Sequence, residues 1–167
     1  MKSTEDILID LENYIKVSDK IDSSISASSI AWHIEHSLKV INQISIALER
    51  SKPEEYKWKF NRWWLIILIT KTMPRGRAKA PKGVIPEGEI TVDSLKKSFE
   101  KTKLRLSKMG TFNVNAHFAH PYFGLLNLKS TKTFLAIHTK HHLKIIEDIC
   151  RKQKAVGRRQ MAEGRRQ

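Results

Sequence analysis

Apolar residues recur at helical spacing along most of this chain. In residues 4–18 (TEDILIDLENYIKVS), Ile7, Leu8, Leu11, Tyr14 and Ile15 share one face, and Thr4 is placed to cap the helix. The Ser-rich stretch 18–29 reads as a loop whose last serines cap the next helix. In residues 30–50, Ile30, Ile34, Leu38, Ile41, Ile44 and Leu48 define a long amphipathic helix that ends at SKP (51–53). Residues 54–71 (EEYKWKFNRWWLIILITK) predict a third helix, apolar on more than one side and therefore well buried. A loop rich in Pro, Gly and basic residues spans 72–90. Thr91 then caps a helix over 91–109, with Val92, Leu95, Phe99 and Leu106 along one side. An irregular segment (110–130) delivers the chain to a last helix, capped at Ser130 or Thr131 and running to about Lys152. No segment alternates with the period of two that marks a strand. The pattern predicts an all-α fold of four or five helices, with long loops, in one domain over residues 1–150.

Charge changes this picture mainly at the end of the chain. The net charge is +14, of which residues 151–167 (RKQKAVGRRQMAEGRRQ) carry +6. This segment lacks apolar periodicity and is expected to be a disordered, solubilising tail. It has no aromatic residue for stacking on bases, so nucleic acid enters only as a weak, nonspecific alternative partner. The longest apolar run, WWLIILI (63–69), is far below the roughly 18 residues of a spanning helix. No charged-then-apolar leader is visible at the start, and the expectation is a cytoplasmic protein with no membrane partner. A lone cysteine, Cys150, allows no intramolecular disulfide and no Cys-rich zinc site, and is expected to be a packed thiol.

The candidate chemistry lies in seven histidines, three of them within FLAIHTKHHLKIIEDI (134–149). Rotation of about 100° per residue places His138 and His142 within the apolar stripe, one turn apart, and turns His141 to an edge. Two imidazoles at i and i+4 can converge on one metal ion; the same spacing serves two half-buried histidines with structural hydrogen bonds. HTKHH has no Glu after its first His, so it is not the zinc-protease helix. On the second helix, AWHIEHS (31–37) offers His33 at the margin of the stripe. His36 lies about 130° from the stripe's centre and is expected to face solvent. A third histidine from this helix would complete a three-histidine set with an open coordination position, the arrangement of catalytic rather than structural metal sites.

Three segments together, SISASSIAWHIEHSLKVI, AHFAHPYFGLLN and FLAIHTKHHLKIIEDI, resemble the DinB-like (YfiT-like) superfamily of metalloproteins, in a branch of unknown function. The resemblance covers most of residues 1–150. It implies a four-helix bundle holding a divalent ion, nickel or zinc, on His33, His138 and His142, with His36 replacing His33 if the register in WHIEH shifts by three. It also implies metal-dependent transfer of a low-molecular-weight thiol, or hydrolysis. No general base can be named, because Glu35 and Glu147 point away from the stripe.

His120, in HPYFG (120–124), and His141 are candidates for contacts just outside the metal or for alternative ligands. The blander reading of HPYFG is a turn set by Pro121 and Gly124, with Tyr122 and Phe123 plugging the end of the bundle. The basic loop PRGRAKAPKG (74–83) is either a solvated loop or a site for an anionic substrate. The four tryptophans read as core. The alternative to a metalloenzyme is a non-enzymatic basic helical module that binds nucleic acid or a protein partner, with structural histidines. Either is compatible with a homodimer joined through an apolar helix face.

Overall fold

The computed structural model describes residues 2–76 and 80–164. The chain is mostly helical: α1 (Thr4–Glu12), α2 (Ile30–Arg50), α3 (Arg62–Thr70), α4 (Val92–Met109) and α5 (Leu128–Gly164), with a small hairpin of β1 (His117–His120) and β2 (Gly124–Asn127). Helix α2 packs against both α4 and α5, and α1 closes the core by packing on the same two helices. Ile7, Leu8, Leu11, Ile34, Leu38, Ile41, Leu95, Phe99, Met109 and Ile146 are all essentially inaccessible to water. Each buried Leu, Ile or Phe contributes about 1.5–3 kcal/mol relative to an exposed one.

Local chemistry explains most helix ends. Ser29 Oγ accepts the Trp32 N–H to start α2, and Thr91 and Ser94 cap α4 reciprocally. Helix α1 is capped by Ser3 with Asp6, not by Thr4 as expected, and Thr4 is buried as the first helical residue. Helix α5 begins at Leu128, ahead of the expected Ser130/Thr131 cap, because Asn127 Oδ1 accepts the Ser130 N–H at 3.0 Å. That frees Thr131 to donate from Oγ1 to the Leu126 carbonyl.

Three larger departures concern the hairpin, α3 and the C-terminal segment. The expectation of an all-α fold is met except for β1 and β2, which are only four residues each and too short to display a period. HPYFG is their connection: Pro121, Tyr122 and Phe123 turn the chain, and Gly124 takes the positive φ of +73° that favours glycine. Phe123 is buried as expected, whereas Tyr122 is exposed.

Helix α3 covers only half of the expected 54–71, and of its residues only Ile67 is buried. Residues 53–55 form a 3₁₀ turn opened by Pro53, and Tyr56 and Asn61 are extended, so a helix cannot start before Arg62. The tryptophans are not all core either, since Trp58 and Trp63 are 72% and 56% exposed.

At the other end, α5 continues through Gly164 where a disordered tail was expected; residues 165–167 lie outside the described residues. Arg, Lys, Gln and Ala in 151–164 are good helix formers, and Gly157 is the main interruption before the helix ends at Gly164. Gln153 Nε2 donates to the Ile21 carbonyl and Lys152 lies 3.6 Å from Asp22, which docks the extension on the loop before α2. Among the described residues no helix is long and apolar enough to cross a membrane.

The α5 cap is directly testable. Asn127→Ala is expected to lower unfolding free energy by about 1 kcal/mol, and Asn127→Asp to retain most of it, in urea titrations followed by circular dichroism.

Candidate metal centre

Five of the seven histidines gather where α2 faces α5. Among the described residues, His36, His138 and His142 each offer a ring nitrogen or equivalent ligand atom within 4.8 Å of the others. The expected pair on α5 is therefore present. The α2 member that converges with it is His36; His33, expected as the ligand, stands behind His142 instead. His36 is only 4% exposed, not solvent-facing. The reason lies outside α2. The loop that follows α3 folds back over this side of the helix, so the enclosed face of α2 is wider than its apolar stripe. His36 Nδ1 donates to the Val84 carbonyl at 2.9 Å, and Lys39 Nζ donates to the Ile85 carbonyl at 3.0 Å.

That bond to Val84 fixes the His36 tautomer. With the proton on Nδ1, the lone pair is on Nε2, and the Trp32 ring stacked 4.9 Å away holds the imidazole plane. His33 is enclosed too. Its Nε2 lies 2.9 Å from Ser26 Oγ and its Nδ1 lies 3.0 Å from His142 Nδ1. Two facing ring nitrogens require one to carry the proton. If His142 Nδ1 donates, His33 carries its proton on Nε2 and donates it to Ser26 Oγ, and His142 keeps a free lone pair on Nε2. On α5, His138 Nδ1 is buried with no hydrogen-bond partner. An orphaned polar atom of this kind costs about 1–3 kcal/mol, and Glu35 Oε2, Asn42 Oδ1, Ser45 Oγ and Thr139 Oγ1 share that condition; His138 Nδ1 is the one among them that lies in the histidine cluster.

The two other sequence candidates lie at the edges. His141 meets the His142 ring edge-on at 5.2 Å and is half-buried. His120 is committed to the hairpin turn: Nδ1 accepts the backbone N–H of Tyr122 at 3.1 Å and of Phe123 at 3.3 Å, and its ring stacks on Phe123 at 4.2 Å. It reaches the cluster only through Phe134, whose ring lies 4.7 Å from His120 and 5.6 Å from His138. His117 Nδ1 is paired with the Asn115 carbonyl.

Among the described residues, no carboxylate joins the three histidines. Glu35 faces α4, where Oε1 accepts from Ser98 Oγ, and burial pushes its pKa up; Glu147 is exposed. Burial likewise raises the Cys150 thiol, which makes it a poor nucleophile. Arg75 is paired with Asp148 at 2.7 Å, and Arg77 and Lys79 of the basic loop lie outside the described residues. Trp32 also lines an open groove of about 550 Å³ with Ser28, Ser29 and Ile90.

Electrostatics keeps the cluster neutral. Burial lowers the pKa of His36, and burial with the neighbouring imidazoles pushes those of His138 and His142 well below the ordinary value. His33 is lowered to about 4, first by burial and then by His36 and His141; His120 is lowered to about 4 by burial alone. Neutral imidazole is the form that coordinates metals.

The same shifts set a pH dependence. The unfolded chain takes up protons on histidine near pH 6.5, whereas these folded rings do not. Stability is therefore complete above about pH 6.5 and falls as pH drops toward 4, by up to about 1.4 kcal/mol per pH unit for each such histidine. Thermal melts in chelator should show the midpoint falling continuously from pH 7 to pH 5, with a shallower slope in His120→Gln.

Comparison with protein families, with curated proteins and with solved structures finds no match to this chain.

Proposed function

We propose that this chain is a divalent-metal-binding protein of the DinB-like kind, with α1, α2, α4 and α5 as the four helices of the bundle. His36, His138 and His142 hold one nickel or zinc ion. The observation that carries the reading is the convergence of three neutral imidazoles, His36 and His142 buried and His138 partly buried with an orphaned ring nitrogen. Hydrogen-bonded structural histidines account less well for this, because a buried nitrogen without a partner opposes folding.

The surrounding residues fit the roles of ligand supports. Val84 and Trp32 orient His36, and His33, itself bonded to Ser26, holds the His142 ring through Nδ1. Three protein ligands leave a position for water or substrate, where the ion would lower the pKa of a bound water or thiol. The groove that shares Trp32 with the cluster is where a substrate is placed in this reading. With no nearby carboxylate among the described residues, the ion itself would have to activate the nucleophile, a bound thiol for transfer or a bound water for hydrolysis.

The alternative of a basic nucleic-acid module is weaker. Arg151 and Lys152 of the C-terminal extension are already engaged by Asp148 and Asp22 of the same chain.

Elemental analysis of protein purified without an affinity tag tests the reading. Wild type is expected to carry close to one equivalent of nickel or zinc, and His36→Ala, His138→Ala and His142→Ala to carry almost none. His33→Ala should keep the stoichiometry and lose about 10–100-fold in affinity. Metal-free wild type that cannot be reloaded would refute the proposal. Because the ligands are already neutral, titration at pH 7 should release few protons, seen as an apparent binding enthalpy independent of buffer.

A further inference from the structure

Helix α3 turns only one side toward its own chain. Trp64, Ile67 and Leu68 face inward, and Trp64 meets Phe123 of the hairpin at 5.4 Å. The outer side is as apolar as the inner: Trp63, Leu65, Ile66 and Ile69 are 56%, 43%, 45% and 72% exposed. Trp58 and Phe60, in the segment leading into the helix, are 72% and 66% exposed. Asn61, which caps α3, also donates to the Tyr122 carbonyl, so the exposed Tyr122 ring extends the same surface. A helix apolar all round is ordinarily buried all round.

We propose that this face is an isologous interface with a second copy of the chain. The proposal is independent of the metal centre. Area is the first argument. The three aromatics alone leave on the order of 400 Å² in water, given about 150–250 Å² per aromatic side chain. With Leu65, Ile66, Ile69 and Tyr122 the face reaches the roughly 800 Å² per partner of a standard stable interface. That is more than the largest patch of a typical monomer, about 300–600 Å².

Self-complementarity is the second. Apolar side chains pack on their own copies across a two-fold axis without needing an opposite charge, and two-fold dimers are the commonest assembly. The exposed basic residues around the face, Lys57, Lys59, Arg62 and Lys71, keep long stems that carry their charge to a solvated rim, and Arg62 already lies over the Trp63 ring at 5.1 Å.

Charge makes the test decisive. From residue 56 to residue 86 there is no Asp or Glu. Two copies therefore bring like charge together, and salt should strengthen their association. An anionic lipid surface or an acidic partner would instead be released by salt.

Sedimentation velocity of the full chain is expected to show a dimer that tightens between about 50 and 500 mM NaCl. Ile66→Glu and Ile69→Glu are each expected to weaken dimerisation at least about 100-fold while leaving the far-ultraviolet circular dichroism spectrum of the protein unchanged. Both positions are exposed in the single chain, so their substitution does not disturb its core. The proposal is overturned by a wild-type monomer at about 100 μM, or by variants that dimerise as well as wild type. Salt-sensitive co-sedimentation with phosphatidylglycerol–phosphatidylcholine vesicles, abolished by the same substitutions, would also overturn it.

Discussion

The enclosure of α2 is the constraint on which the rest of this structure depends. Two helices, α4 and α5, cover its apolar stripe, and the loop through Val84 and Ile85 covers much of what remains. Polar groups caught under that cover depend on partners inside the protein, and Glu35 Oε2, Asn42 Oδ1 and Ser45 Oγ are left without one among the described residues. Ser37 Oγ donates back to the His33 carbonyl, and Asn42 bonds to the Leu38 carbonyl and to Thr102 on α4. His33 and His36 have no such purely local solution. They meet α5 and the loop, and so they become a cluster.

Enclosure also sets the chemistry of that cluster. An imidazole removed from water resists protonation, and several removed together resist it more, because each charged ring would raise the cost of charging the next. The outcome is a set of lone pairs at neutral pH, with the His36 tautomer fixed by the Val84 carbonyl rather than by bulk solvent. The aromatic chain of Trp64, Phe123, Phe134 and His138 joins the outer helix and hairpin to this centre, with ring centroids 5.4–6.1 Å apart. The hairpin is tied down independently, since the His117 N–H donates to Ser51 Oγ at the end of α2.

Helix α3 shows the opposite situation. Its sequence demands burial on every side, and the single chain meets that demand only at Trp64, Ile67 and Leu68. Periodicity reports how apolar each face of a helix is; it does not report which molecule covers the face. The same sequence pattern thus gave the right degree of hydrophobicity and the wrong expectation of burial within the chain.

What the sequence determined by itself is local. The bounds of α2 and α4, with Ser29 and Thr91 as caps, follow from a 3.6-residue period and side-chain oxygens that reach the next turn. The inward placement of His138 and His142 follows from the same period. Tertiary structure decided the rest. It grouped His36 with His138 and His142, under a loop 48 residues away in sequence whose carbonyl accepts from His36 Nδ1. It made Asn127 the cap of α5 because the β2 strand ends there, and it paired β1 with β2, four-residue strands too short to announce themselves. Burial from a second side is a property of what packs against a helix, and no rotation computed along the helix contains it.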